Sequence, residues 1–124
     1  MKELKERRQE TGMSQFDFVV ASGLKGTGNL SAMEQYKKAM TMDAARKYAK
    51  TLGMDWGELL LEQSVIYAQK LLERGETDAL YDYVSYLLKI GKSGKLPAGI
   101  SEDFIFEAKK ILDTLTETDL SQDK

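Results

Sequence analysis

Apolar residues recur along this chain at helical spacing, and the pattern predicts a run of helices separated by glycines. The first helix, about Lys2 to Thr11, turns Leu4 inward with Arg8 one turn on, and Gly12 provides a left-handed stop. Ser14 is placed to cap a second helix, with Asp17 at its third position and Met13 set to staple onto Phe18. Phe18, Val19 and Ala21 supply that helix's apolar face until Ser22-Gly23, where glycine takes the positive φ of a tight turn, and Leu24 follows as a plug for the core. A third, short helix carries Leu30, Met33 and Glu34, leaving small or polar side chains (Thr27, Asn29, Ser31, Ala32, Gln35) on its outer face. Such a face suits a groove.

Farther on, Thr41 caps a fourth helix with Asp43 in its first turn and a stripe of Ala45, Tyr48, Ala49 and Leu52. Asp55 caps a fifth, running from Trp56 to Arg74, in which Trp56, Leu59 and Leu60 close the core of the first half. Two apolar stripes follow on the same helix, one of Leu61, Val65, Ala68 and Leu72, the other of Leu60, Tyr67 and Leu71, so it needs cover on more than one side. Gly75 stops it; Thr77 and Asp78 start the next, whose Leu80, Tyr83, Val84, Leu87 and Leu88 form a strongly amphipathic set, with Tyr81 and Tyr86 off the stripe. Residues 91–99 read as one long basic loop. Its Gly91-Lys92-Ser93 triplet fails as a phosphate loop, because Tyr86 stands where that motif needs a glycine and no strand precedes it. A last helix starts at Ser101, with Glu102 and Asp103 in its first turn, an Ile100 to Ile105 staple, and a stripe of Phe104, Ala108, Ile111 and Leu115. The polar tail after Thr116 is expected to fray.

Residues 4–60 resemble the lambda-repressor-like, Cro/Xre-type helix-turn-helix family. The likeness is carried by Leu4, Arg8, Gly12-Met13-Ser14-Gln15, Phe18, Gly23-Leu24, the run Leu30 to Glu34, and Tyr48 to Met54. The chain departs from that pattern in three places. The turn Lys25-Gly26-Thr27-Gly28-Asn29 is one residue longer, its two glycines each weakening the start of the third helix by ~1 kcal/mol relative to alanine. Tyr36 and Met40 stand where the family usually has glycine and proline. The resemblance implies a five-helix domain over residues 1–60; the apolar stripes beyond it predict an all-α chain, with a C-terminal helical extension of two to three helices over 61–116 and a polar tail over 117–124.

Charge refines this picture. The 124 residues carry a net charge of −2, but residues 1–60 hold ten Lys and Arg against eight Asp and Glu, and residues 61–124 hold eight against twelve. A first half at only +2 would engage phosphates through a local patch, with moderate and salt-sensitive affinity. The absence of cysteine and histidine removes disulfides, thiolate or imidazole metal sites, and every Ser-His or Cys-His dyad. Acid pairs such as Glu102-Asp103 and Asp119-Asp123 fit helix starts and a solvated tail better than a catalytic site, so no enzyme, cofactor or metal is expected. The N-terminus lacks the apolar core of a signal peptide and no apolar run approaches ~20 residues, so the expectation is a soluble, cytoplasmic protein without a membrane span.

The resemblance implies a sequence-specific DNA-binding transcriptional regulator, a phage or mobile-element repressor that binds a palindromic operator as a dimer. By the same resemblance, Gln15 would meet backbone phosphate, base contacts would come from Lys25, Thr27, Asn29, Ser31, Ala32 and Gln35, and Arg8 would pair with Glu34. Asparagine and glutamine suit adenine, lysine suits guanine. Lys37, Lys38, Arg46, Lys47 and Lys50 are further phosphate candidates; the alternative for these charges, as for Arg8, is a solvated surface. A dimer places two recognition helices about 34 Å apart, and Leu61, Val65 and Leu72 are its contact candidates; alternatively the C-terminal helices close a single monomeric domain. A different class of function fits the same scaffold: a protein-binding module, either an antitoxin or a phage-encoded inhibitor of host defence, with an antirepressor, toxin or host protein held by the C-terminal helices.

Overall fold

The computed structural model describes residues 1–97 and 99–122, with side chains as far as residue 117. Among the described residues it is entirely α-helical, with seven helices and no strand: α1 (Leu4–Glu10), α2 (Gln15–Ala21), α3 (Gly28–Glu34), α4 (Met42–Leu52), α5 (Trp56–Glu73), α6 (Thr77–Gly91) and α7 (Ile100–Gln122). No helix among them is long and apolar enough to cross a membrane. The chain divides into two compact units, residues 1–67 and 68–124, and the division falls inside α5 rather than after residue 60.

In the first unit, polar side chains set the helix starts. The Ser14 hydroxyl accepts from the Asp17 amide, Thr41 from Ala44, and Asp55 from Glu58, each at 3.0 to 3.1 Å. These bonds satisfy amides that the first turn of a helix leaves without partners. Leu4, Phe18, Val19, Leu30, Ala45 and Leu59 are wholly buried, α2 packs on α3 and α4, and α1 packs on α3. Phe18 and Tyr48 meet with ring centroids 5.2 Å apart, a tilted pair within the range of favourable aromatic contacts.

Several expectations are corrected. α1 begins at Leu4, with Glu3 as its cap residue, two residues after the expected start. Ala21 is exposed and Leu24 half-buried, so the end of α2 and its turn contribute less to the core than their apolar letters imply, and Leu52 at the end of α4 is likewise only half-buried. Gly26 precedes α3, leaving Gly28 as the one glycine within its first turn.

The second unit is built on α6 packed against α7, with Leu80, Val84, Leu87, Phe104, Ala108 and Leu115 buried. Thr77 starts α6 as expected, with Glu76 as its cap residue. Gly91 belongs to α6 rather than to the following loop. A Cβ there would stand 2.7 Å from Ile105 Cγ1 and 3.1 Å from the Ser101 carbonyl oxygen, so glycine is what lets the two helices approach. Helix α7 continues past Thr116 to Gln122, because the polar residues after Thr116 include no glycine or proline to stop it. Of the tail acids, Asp123 lies outside the described residues, as does the side chain of Asp119.

Candidate nucleic-acid interface

The centre of the first unit is ionic. Arg8 donates from Nε to Glu34 Oε2 at 2.7 Å and from Nη2 to Oε1 at 3.1 Å, a two-pronged bond linking α1 to the last residue of α3. Both residues are only 8% exposed. A third arm of the guanidinium, Nη1, donates to the Met13 carbonyl at 2.9 Å, and Gln15 Nε2 donates to Glu34 Oε1 at 3.0 Å. The carboxylate therefore accepts from α1 and α2 at once, and holding the Arg8 proton against it raises the arginine pKa further.

A second polar cluster fixes the far end of α3. Tyr36 has φ +53, the left-handed conformation that glycine adopts most cheaply. Its amide donates to the Met33 carbonyl and the Lys37 amide to that of Ala32, closing the helix in a Schellman turn. Tyr36 is 3% exposed; its phenol accepts from the Leu4 amide at 3.1 Å and donates to Gln63 Oε1 at 2.6 Å. Burial, with the nearby carboxylates, pushes this phenol up to about 12. Gln63 Nε2 in turn donates to the Lys2 carbonyl and to Glu62, and Glu62 receives Arg7 through two bonds of 2.6 Å. Burial works to raise the Glu62 pKa, but Arg7 and the Lys2 amide outweigh it and hold the carboxyl below its usual value.

The outer face of α3 and its flanks carry most of the base-reading candidates. Lys25, Asn29 and Gln35 are exposed, whereas Thr27, Ser31 and Ala32 are half-buried. Lys38 Nζ donates to Asn29 Oδ1 at 2.9 Å, and Gln35 Nε2 donates to Ser31 Oγ at 3.0 Å, so three of these candidates are engaged before any ligand arrives, Asn29 with a phosphate candidate and Gln35 with Ser31. Lys25 and Asn29 share an open groove of about 380 Å³ with Leu24, Gly26, Gly28 and Tyr48. Searched against family models, curated proteins and solved structures, the chain matches none.

The phosphate candidates separate into groups. Lys37 and Lys38 flank α3. Arg46 lies 4.6 Å from the centre of the Trp56 ring and, with Lys50, lines a different groove of about 390 Å³ that also holds Met54 and Asp55. Lys47 is paired with Asp43 at 3.1 Å, one helical turn away on α4. Of the proposed dimer contacts, Val65 is 5% exposed and belongs to the core, which corrects its assignment; Leu61 is half-buried and Leu72 is 41% exposed.

The sequence reading missed Tyr36 and Gln63 as structural partners and the exposed pair Phe16 and Val20, at 61% and 52%. The signal for Phe16 was present: residues two apart on a short helix cannot both face inward, so Phe16 and Phe18 were bound to diverge.

Proposed function

We propose that this protein is a sequence-specific DNA-binding regulator whose first unit is a lambda-repressor-like helix-turn-helix domain, with α3 as the recognition helix. The observation that carries this reading is the charge around α3. Between Phe18 and Met42 the chain has three lysines, Lys25, Lys37 and Lys38, and a single acid, Glu34. That acid is buried against Arg8, so the charged side chains exposed in this stretch are all positive, beside the polar Asn29 and Gln35. A face of this kind attracts a phosphate backbone and has the polar groups to read base edges. Gln15, held by Glu34 at the start of α2, fits the role of a phosphate contact through its remaining amide proton.

Dimerisation follows from the small size of the recognition surface, since one seven-residue helix offers few base contacts and two copies on a palindrome multiply specificity. Leu72 is the contact candidate with apolar surface to spare. Fluorescence anisotropy against the gene's own upstream DNA and a scrambled duplex, across a salt series, tests the reading. Expected are preference for the upstream site and a logarithmic slope of roughly 0.9 per phosphate contact; no binding at low salt overturns it. In that event the exposed Phe16 and Val20 favour the second reading, a protein-binding module that repressor-like helices merely support.

A further inference from the structure

The bond between Lys38 and Asn29 changes what Asn29 is able to read. An unengaged asparagine offers a carbonyl acceptor and an amide donor, the pair that matches N6 and N7 of adenine. Here one lone pair of the carbonyl oxygen already holds a cation: Lys38 Nζ sits 2.9 Å from Oδ1, and an ammonium can only donate, so the atom facing it must be the oxygen. The fold puts Lys38 there. The left-handed turn at Tyr36 ends α3 and brings the following residues alongside the helix, so that a residue four beyond its end reaches the second residue of the helix. Glu34, the one acid between Phe18 and Met42, does not draw the ammonium away, since it is committed to Arg8 and Gln15.

What the pair offers is mostly donors, with the second lone pair of the Asn29 oxygen lying beside a cation. The Asn29 amide keeps two N–H groups and Lys38 two more, all on exposed side chains. We propose, resting on the DNA-binding reading above, that Asn29 and Lys38 act as one donor unit that selects guanine, whose major-groove edge presents two acceptors, N7 and O6. Adenine presents one acceptor beside a donor and is disfavoured, because its N6 amino group would have to approach the Asn29 carbonyl beside the Lys38 ammonium, donor against donor.

Selection of duplexes from a random pool tests this with the unaltered chain, Lys38→Met and Asn29→Ala. The unaltered chain is expected to enrich guanine at the position that Asn29→Ala leaves unspecified, with discrimination on the order of tenfold. Lys38→Met frees the carbonyl and is expected to switch that same position to adenine. Adenine already preferred by the unaltered chain, or guanine retained by Lys38→Met, overturns the proposal while leaving DNA binding intact. Equal weakening of all sequences in Lys38→Met also overturns it, making Lys38 a phosphate contact. If the unaltered chain enriches nothing, the DNA-binding reading itself fails and takes this inference with it.

Discussion

The phenol of Tyr36 donates to Gln63 Oε1 at 2.6 Å, joining the turn after α3 to the first unit's stretch of α5. A tyrosine in the left-handed region costs on the order of 1 kcal/mol that glycine would avoid. The phenol offsets this, because it satisfies the buried Leu4 amide and the Gln63 carbonyl together. Tyr36→Phe keeps the ring and the backbone conformation but leaves both groups without that partner. A loss of about 1 to 3 kcal/mol is expected from urea unfolding; an unchanged midpoint would mean that the two bonds are replaced by water.

The same phenol sets a limit on alkaline stability. Its pKa is about 12 in the folded chain against an ordinary 10, so the folded state holds this proton more tightly than the unfolded state. Its contribution is full below pH 10 and is lost as the pH rises through 12. The urea midpoint is expected to fall over that window, with a total effect on the order of 2 kcal/mol. Tyr36→Phe should flatten the fall without abolishing it, since burial also raises the Tyr48 pKa.

How much of this was legible in the sequence depends on whether the deciding contact is local. Ser14, Thr41 and Asp55 cap amides three residues away, and Gly23, Gly53 and Gly75 adopt the positive φ that their positions invite. Such features are decided within one turn of helix and could be read directly. Tyr36 was legible only as a departure, because the groups that reward it, Leu4 and Gln63, lie 32 and 27 residues away. The pairing of Lys38 with Asn29 was hidden for the same reason, since it exists only once the turn at Tyr36 is made. Gly91 looked like loop punctuation, and only the position of α7 shows that it is a point of helix contact.

Arg8 and Glu34 should be strongly coupled. Glu34 has a side chain only 3% exposed, so removing its cation leaves a nearly uncompensated buried charge. Arg8→Met and Glu34→Gln are each expected to cost about 3 to 5 kcal/mol, and a double substitution that removes both charges much less than their sum. Additive losses in a double-mutant cycle would show that the two residues act independently. Gln15→Ala offers a milder comparison, because it removes one neutral donor to the carboxylate and leaves the arginine in place.

Two glycines inside helices should respond in opposite directions to alanine. Gly28, in the first turn of α3, has open space where a Cβ would go, and alanine there is expected to stabilise by up to ~1 kcal/mol through helix propensity alone. Gly91 would gain the same propensity term, but its new methyl would sit 2.7 Å from Ile105 Cγ1 and 3.1 Å from the Ser101 carbonyl oxygen. The isoleucine is half-buried and has room to rotate, whereas the carbonyl moves only if the α7 backbone moves. Overpacking typically costs 1 to 3 kcal/mol, so Gly91→Ala is expected to destabilise by roughly 1 kcal/mol net once propensity is subtracted. Thermal unfolding of both variants beside the unaltered chain checks the pair. Adding Ile105→Ala to Gly91→Ala should recover only part of the loss, because the carbonyl contact remains; stabilisation of both single variants would show that α6 and α7 separate at little cost.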